Sequence, residues 1–321
     1  MHVPVLDGLR ALAALSVCFF HFVCGPTNFV TDETVLDIFS YGKYGVQLFF
    51  VISGFVIPWS IATSNYHIKK YFHFLLKRFI RLEPPYICSI VMIVALIYLR
   101  TVYTDAPDIR VLSPNQLFLH LGYLIPFSNY DWIIDVYWTL AIEFQFYLFM
   151  GLFYFIIISK SPVVRIAGYI SVLSLSFIGT NDFLPYWLPV FLIGNLLFLF
   201  ISERIKAMEF YITISLVAIY LAFWYPLPIL FASIIPTLAL LFCFSYYNKI
   251  LTWLGKISYS IYLFHTIVGT ATINVLSHHV HSSFMKFIIV MVGIGVSIVF
   301  SYIMYRIIEV PSKKLSAKIK Y

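Results

Sequence analysis

The chain has 321 residues, of which 61% are hydrophobic and 11% charged, with a mean hydropathy of +0.92 and a formal charge of +7. A soluble domain carries about 25% charged residues, so the composition excludes a soluble globular fold. Apolar segments recur along the whole length with no long polar stretch between them, so residues 1–321 read as one all-α polytopic membrane domain without an appended soluble domain.

The first element, VLDGLRALAALSVCFFHF over 5–22, lacks the basic start and small-residue cleavage site of a signal peptide and reads as mature structure. It carries Arg10 and His21, which at about 100° and 1.5 Å per residue share one helix face within about 20° and lie roughly 16 Å apart. Further windows of roughly 20 apolar residues fall near 44–62, 84–104, 135–158, 163–179, 185–202, 208–225, 227–246, 257–277 and 284–308. The count is therefore about ten transmembrane helices. Only Trp224-Tyr225-Pro226-Leu227-Pro228 divides the seventh from the eighth.

The positive-inside rule tests that count. With a cytoplasmic N-terminus, and Arg10 left aside, sixteen of the lysines and arginines fall inside. Outside stand four: Lys43, Arg100, Arg110 and Lys286. Both termini are then cytoplasmic. The net charge becomes mainly topology, with anionic headgroups rather than nucleic acid as its default partner. Between the second and third spans, YFHFLLKRFIRL over 71–82 has the aromatic and basic mix of an amphipathic helix in the inner interface. Cys18, Cys24, Cys88 and Cys243 have neither metal nor redox spacing and read as small core hydrophobes.

Arg10, His21, Glu143 and His265 fall inside spans, where an ionisable group must face a partner or water and is a functional candidate by default. The first span runs outward and the fourth inward, which brings His21 and Glu143 to similar depth. A carboxylate beside an imidazole fixes its tautomer and raises its basicity, as a general base acting on a hydroxyl requires. The alternative is a polar pair that locks two helices together. His265, in SYSIYLFHT, is either a third member or a hydrogen-bonded core histidine. Arg78 and Arg81, at i and i+3 where the third span begins, point the same way on a helix and can clamp a phosphate through forked hydrogen bonds, or simply anchor the inner end. Asp7 offers Arg10 a local ion pair. His278, His279 and His281 form an H-H-x-H cluster with no acidic or cysteine ligands nearby, so no metal site is expected. The sequence contains no glycine-rich phosphate loop, G-x-S-x-G elbow or H-E-x-x-H zinc helix.

Several of these stretches together resemble acyltransferase family 3, membrane-bound acyltransferases that modify sugars and other exported molecules. VLDGLRALAALSVCFFHF matches its opening Arg-x10-His motif. GVQLFFVISGF (45–55), KRFIRLEPPY (77–86), YWTLAIEFQFYL (137–148, with Thr139 where serine is usual), LGKISYSIYLFH (254–265) and IIEVPSKKL (307–315) resemble its later elements in the same order. The resemblance implies His21 as the essential catalytic residue with Arg10 as its motif partner, Arg78 and Arg81 in the acyl-donor site, and Glu143 in the active site. Ser53, Tyr259, Tyr262 and His265 remain open between lining the site and packing.

The expected activity is transfer of an acyl group, acetyl above all, from cytoplasmic acyl-CoA as co-substrate to a hydroxyl of a carbohydrate or lipid-linked sugar. In this scheme His21 is the base, Glu143 orients its imidazole, and the enzyme lies in a bacterial cytoplasmic membrane. An acyl-histidine intermediate is the competing route. The alternative class is a transporter or flippase for a sugar or acyl-linked substrate. Transporters often show inverted repeats and paired interrupted helices, and the sequence displays neither.

Overall fold

The computed structural model describes residues 3–25, 29–103, 112–277, 280 and 282–320, and among these every regular element is helical. In chain order they are α1 (Pro4–Val23), α2 (Glu33–Ser40), a 3-10 turn (Tyr41–Tyr44), α3 (Gly45–Ala62), α4 (Tyr71–Tyr103), α5 (Pro114–Leu121), α6 (Tyr137–Ile157), α7 (Pro162–Leu175), α8 (Leu184–Ile201), α9 (Ala207–Trp224), α10 (Leu227–Phe242), α11 (Lys249–Lys256) and α12 (Ser258–Phe264). A π-helical stretch at His265–Thr270 leads into α13 (Ala271–Leu276). A second, at Tyr305–Glu309, joins α14 (Ser283–Met304) to α15 (Val310–Ala317).

Helix stands over all ten apolar segments noted in the sequence. Among the described residues seven helical units are long and apolar enough to cross a membrane: 4–23, 33–62, 68–103, 137–157, 184–201, 207–224 and 283–317. α7 and α10 are shorter apolar helices, and the remaining segment is the composite of α12, the π stretch and α13.

One boundary differs from expectation. The basic, aromatic stretch 71–82 is not a separate interfacial helix but the opening three turns of α4, which runs 33 residues without a break. At 1.5 Å per residue α4 is about 50 Å long, well beyond the roughly 30 Å of hydrocarbon. Pro84 and Pro85 take two N–H donors out of its ladder but do not stop it. From across the bundle, the Tyr259 hydroxyl donates to the Leu82 carbonyl at 2.8 Å.

α8 forms the centre of the bundle, buried without interruption from Trp187 to Leu199. α3 lies against it at a glycine-to-glycine crossing. A Cβ on Gly54 would stand 2.2 Å from the Phe191 carbonyl oxygen, and one on Gly194 2.1 Å from that of Val51. Only the missing side chains let the two backbones touch. α9, in contrast, exposes Tyr211, Ile212, Leu216, Ile219 and Phe223, the composition of a lipid-facing surface. Of the four cysteines, Cys18 is buried as expected. Cys24 and Cys88 are half-buried, and Cys243, at the end of α10, is exposed.

The starts of α1 and α4 gather with α11 and α15 at one end of the bundle. Gly255 lets α11 close on the backbone of Asp7, and the Ser316 hydroxyl donates to the Lys77 carbonyl at 2.9 Å. This is the end rich in lysine and arginine.

Candidate active site

Near that basic end the helices enclose a cavity of about 290 Å³. α1 contributes Asp7 and Arg10, which pair at 3.5 Å as their spacing suggests. α4 contributes Arg78 and Arg81, aimed to the same side by their i, i+3 spacing. Arg78 is buried. Its Nη2 donates to Ser60 Oγ at 2.8 Å, its guanidinium lies 5.4 Å from the Phe74 ring centroid and 5.7 Å from that of Tyr147, and its Nε–H has no partner among the described residues. A buried guanidinium donor left open beside a cavity is a ready contact for an anion.

Ser53 of α3 and Glu143 of α6 line the same cavity and bond one another, the Ser53 hydroxyl donating to Glu143 Oε1 at 3.0 Å. The Tyr147 hydroxyl donates to the same oxygen at 2.5 Å. Tyr259 and Tyr262 of α12 complete one wall. The hydroxyls of Tyr262 and Thr139 lie 2.7 Å apart, and Tyr262 also donates to the Val136 carbonyl at 3.1 Å.

Sequence reasoning gave no role to several lining residues. Glu309, in the E-x-P stretch, is buried, accepts from Ser260 Oγ at 2.6 Å and pairs with Lys313 at 2.6 Å. Lys256 of α11 adds another cation. Tyr147 follows Glu143 by four residues and Lys313 follows Glu309 by four, so the i, i+4 rule was the signal available for both.

His21 and His265 stand elsewhere. Neither lines the cavity; they lie beyond Tyr262, whose ring centroid is 6.1 Å from that of His265. The two imidazoles are neighbours, with centroids 5.2 Å apart. His21 is half-buried, while His265 is fully buried with Nδ1 at 3.1 and 2.9 Å from the carbonyl oxygens of Ile261 and Tyr262. The expected contact between Glu143 and His21 is not formed. Among the described residues His21 has no hydrogen-bond partner, and Glu143 spends its bonds on Ser53 and Tyr147. Depth along a helix fixes height but not azimuth. Glu143 faces α3 and the cavity, whereas His21 faces α12 and the π stretch.

Among the described residues no group of three His, Cys, Asp or Glu side chains is placed to hold a metal ion. His278, His279 and His281 lie outside the described residues.

Residues 3–306, which contain the cavity and the histidine pair, match a family model for the acyltransferase domain. The chain belongs to acyltransferase family 3. Within the family it is similar to the peptidoglycan O-acetyltransferase OatA of Listeria monocytogenes, 25% identical over 368 residues that cover 98% of this chain and 56% of that protein. It is also similar to a putative O-acetyltransferase of Staphylococcus aureus, 25% identical over 99% of this chain and 58% of the relative. A putative peptidoglycan O-acetyltransferase of Bacillus subtilis, YrhL, is 33% identical over 54% of this chain and 27% of its own length. The chain thus spans a little over half the length of the first two relatives. No solved structure matches it.

Proposed function

We propose that the chain catalyses O-acetylation of a cell-envelope carbohydrate, taking acetyl from cytoplasmic acetyl-CoA. The observation that carries this reading is the convergence of Arg10, Arg78, Arg81, Lys256 and Lys313, from four different helices, on one cavity inside a membrane bundle. Arg10 and Lys313 already meet Asp7 and Glu309, whereas buried Arg78 keeps an open donor beside the cavity, and guanidinium forks suit phosphate oxygens. The volume sits at the lower edge of the roughly 300–1,000 Å³ of small-molecule sites, which suits the narrow pantetheine arm entering from a nucleotide held at the mouth. Peptidoglycan, named for the relatives, is the leading acceptor class.

In the reaction His21 takes the proton of the acceptor hydroxyl as its oxygen bonds to the acetyl carbonyl carbon. The carbon–sulfur bond breaks, and the thiolate of CoA receives the proton. The products are the O-acetyl ester and free CoA. Glu143, held by Ser53 and Tyr147, acts on the donor side. The lysine and arginine distribution supports ten spans with both termini in the cytoplasm of a bacterial cell and an acceptor approaching from the outer side.

The test is turnover of radiolabelled acetyl-CoA by the purified chain in nanodiscs with peptidoglycan fragments, read by mass spectrometry of the fragments. Acetylation in wild type and its loss in His21→Ala are expected. Turnover that survives His21→Ala would overturn the assignment of the base, and label trapped on His21 without acceptor would replace direct transfer by an acyl-histidine route.

A further inference from the structure

A base that removes a proton with one imidazole nitrogen must have the other nitrogen's hydrogen placed, and the carboxylate expected to do this faces another way. The environment of His265 supplies a substitute. Its Nδ1 faces two backbone carbonyl oxygens, which only accept, so Nδ1 carries the hydrogen. Nε2 of the neutral ring is then a lone-pair acceptor. It is buried and has no hydrogen-bond partner among the described residues, although a buried polar atom usually finds one.

Three rings touch His265, and two of them cannot use that lone pair. Phe22, 6.0 Å away, has no polar atom, and the Tyr262 hydroxyl is engaged with Thr139 and Val136. The third is His21, 5.2 Å between centroids, likewise without a hydrogen-bond partner among the described residues. Asp135, just before α6, acts on His21 by charge, but it is exposed and makes no hydrogen bond to the ring.

Resting on the acetyl-transfer reading above, we infer that His265 is the positioning residue for His21: when the two adjacent rings, 5.2 Å apart, turn toward one another, its open Nε2 accepts the hydrogen of one His21 ring nitrogen and leaves the other nitrogen free as the base. An uncharged orienter fits the site, because an ion pair at this depth carries a desolvation cost that a second imidazole avoids. After proton removal the imidazolium of His21 keeps the same hydrogen bond to Nε2.

Two amide replacements separate this role from plain packing. His265→Asn retains a donor near the Nδ1 position, for the two carbonyls, and has nothing at Nε2. His265→Gln places its amide near Nε2. The expected result is that His265→Asn lowers kcat by about 10²-fold, the low end of the contribution of acid–base positioning, with KM for acetyl-CoA unchanged, and that His265→Gln recovers most of the loss. Asp135→Asn is expected to leave kcat within a fewfold of wild type.

Three kinetic outcomes would overturn the inference: wild-type turnover in His265→Asn, equal loss in both amide variants at matched thermal stability, or a large loss in Asp135→Asn alone. If His265→Asn does not fold, the tautomer decides. In wild-type chain labelled with 15N-histidine, His265 must show Nδ1–H, with an Nε2 signal that moves in His21→Ala. An Nε2–H ring overturns the inference. Loss of activity in His21→Ala together with a silent His265→Asn rejects this role alone, whereas turnover surviving His21→Ala rejects the catalytic reading on which it rests.

Discussion

The cavity at the basic end and the histidine pair beyond Tyr262 are built from opposite materials. In the cavity, charges answer charges: Asp7 meets Arg10, Glu309 meets Lys313, and Glu143 is held by two hydroxyls. Around His21 and His265 stand Phe20, Phe22 and Tyr262, and the polar groups in contact are backbone carbonyls and the second imidazole. Recognition of an anionic donor benefits from many fixed cations. Proton transfer benefits from a dry site in which few groups compete for the proton. The difference teaches that a charged cavity and an apolar histidine pair can be neighbours in one bundle, with Tyr262 lining the first and standing 6.1 Å from His265 in the second.

Five substitutions break or sharpen that contrast. The largest effect is expected from His21→Ala, which should lower turnover by about 10²- to 10⁴-fold while labelled donor still binds, measured by equilibrium binding in nanodiscs. Arg78→Ala should do the reverse, weakening donor binding by roughly 10- to 100-fold, as the loss of a charge-assisted hydrogen bond does, with less change in kcat at saturation. Arg78→Lys should restore little of that affinity, because an ammonium does not reproduce the guanidinium fork. Equal loss of donor affinity in His21→Ala and Arg78→Ala would mean that the two regions are one site.

Tyr147→Phe removes one of the two hydroxyls on Glu143 and should cost about 1 kcal/mol, seen as a roughly fivefold change in kcat/KM for the donor. Gly54→Ala should act on stability first. The added methyl meets the Phe191 carbonyl, and such overpacking costs about 1–3 kcal/mol, visible as a lower midpoint of thermal unfolding in detergent. Because Ser53 is the adjacent residue, the smallest effect of the set should be a secondary shift in the Glu143 contact, read as a minor rise in donor KM.

Much of the cavity was legible in the sequence. Arg10, Ser53, Arg78, Arg81, Glu143, Tyr259 and Tyr262 were singled out from motif position and helical spacing, and all seven line it. The pairing of Glu143 was not legible. Rise per residue gives a side chain's depth, but its direction depends on how helices dock, and the crossing at Gly54 and Gly194 that sets α3 against α8 involves residues with no chemistry of their own. The fusion of 71–82 with the third span was hidden for a related reason. Two consecutive prolines read as a boundary, yet tertiary packing carries the helix through them.

The two π-helical stretches give these placements a further meaning. One begins at His265 and the other ends at Glu309, so each wide turn abuts a side chain of the histidine pair or the cavity. A π turn holds one residue more than an α turn and is frequently found at functional sites. Winding the same residues of either stretch as plain α-helix would swing everything beyond it by about 100°, whereas deleting one residue would remove the wide turn and leave the register beyond it in place. Past Tyr305 that rotation would carry Glu309 and Lys313 away from the cavity while α14 kept its packing. The site's geometry is therefore held partly in a counting offset of the backbone, one residue absorbed in each wide turn.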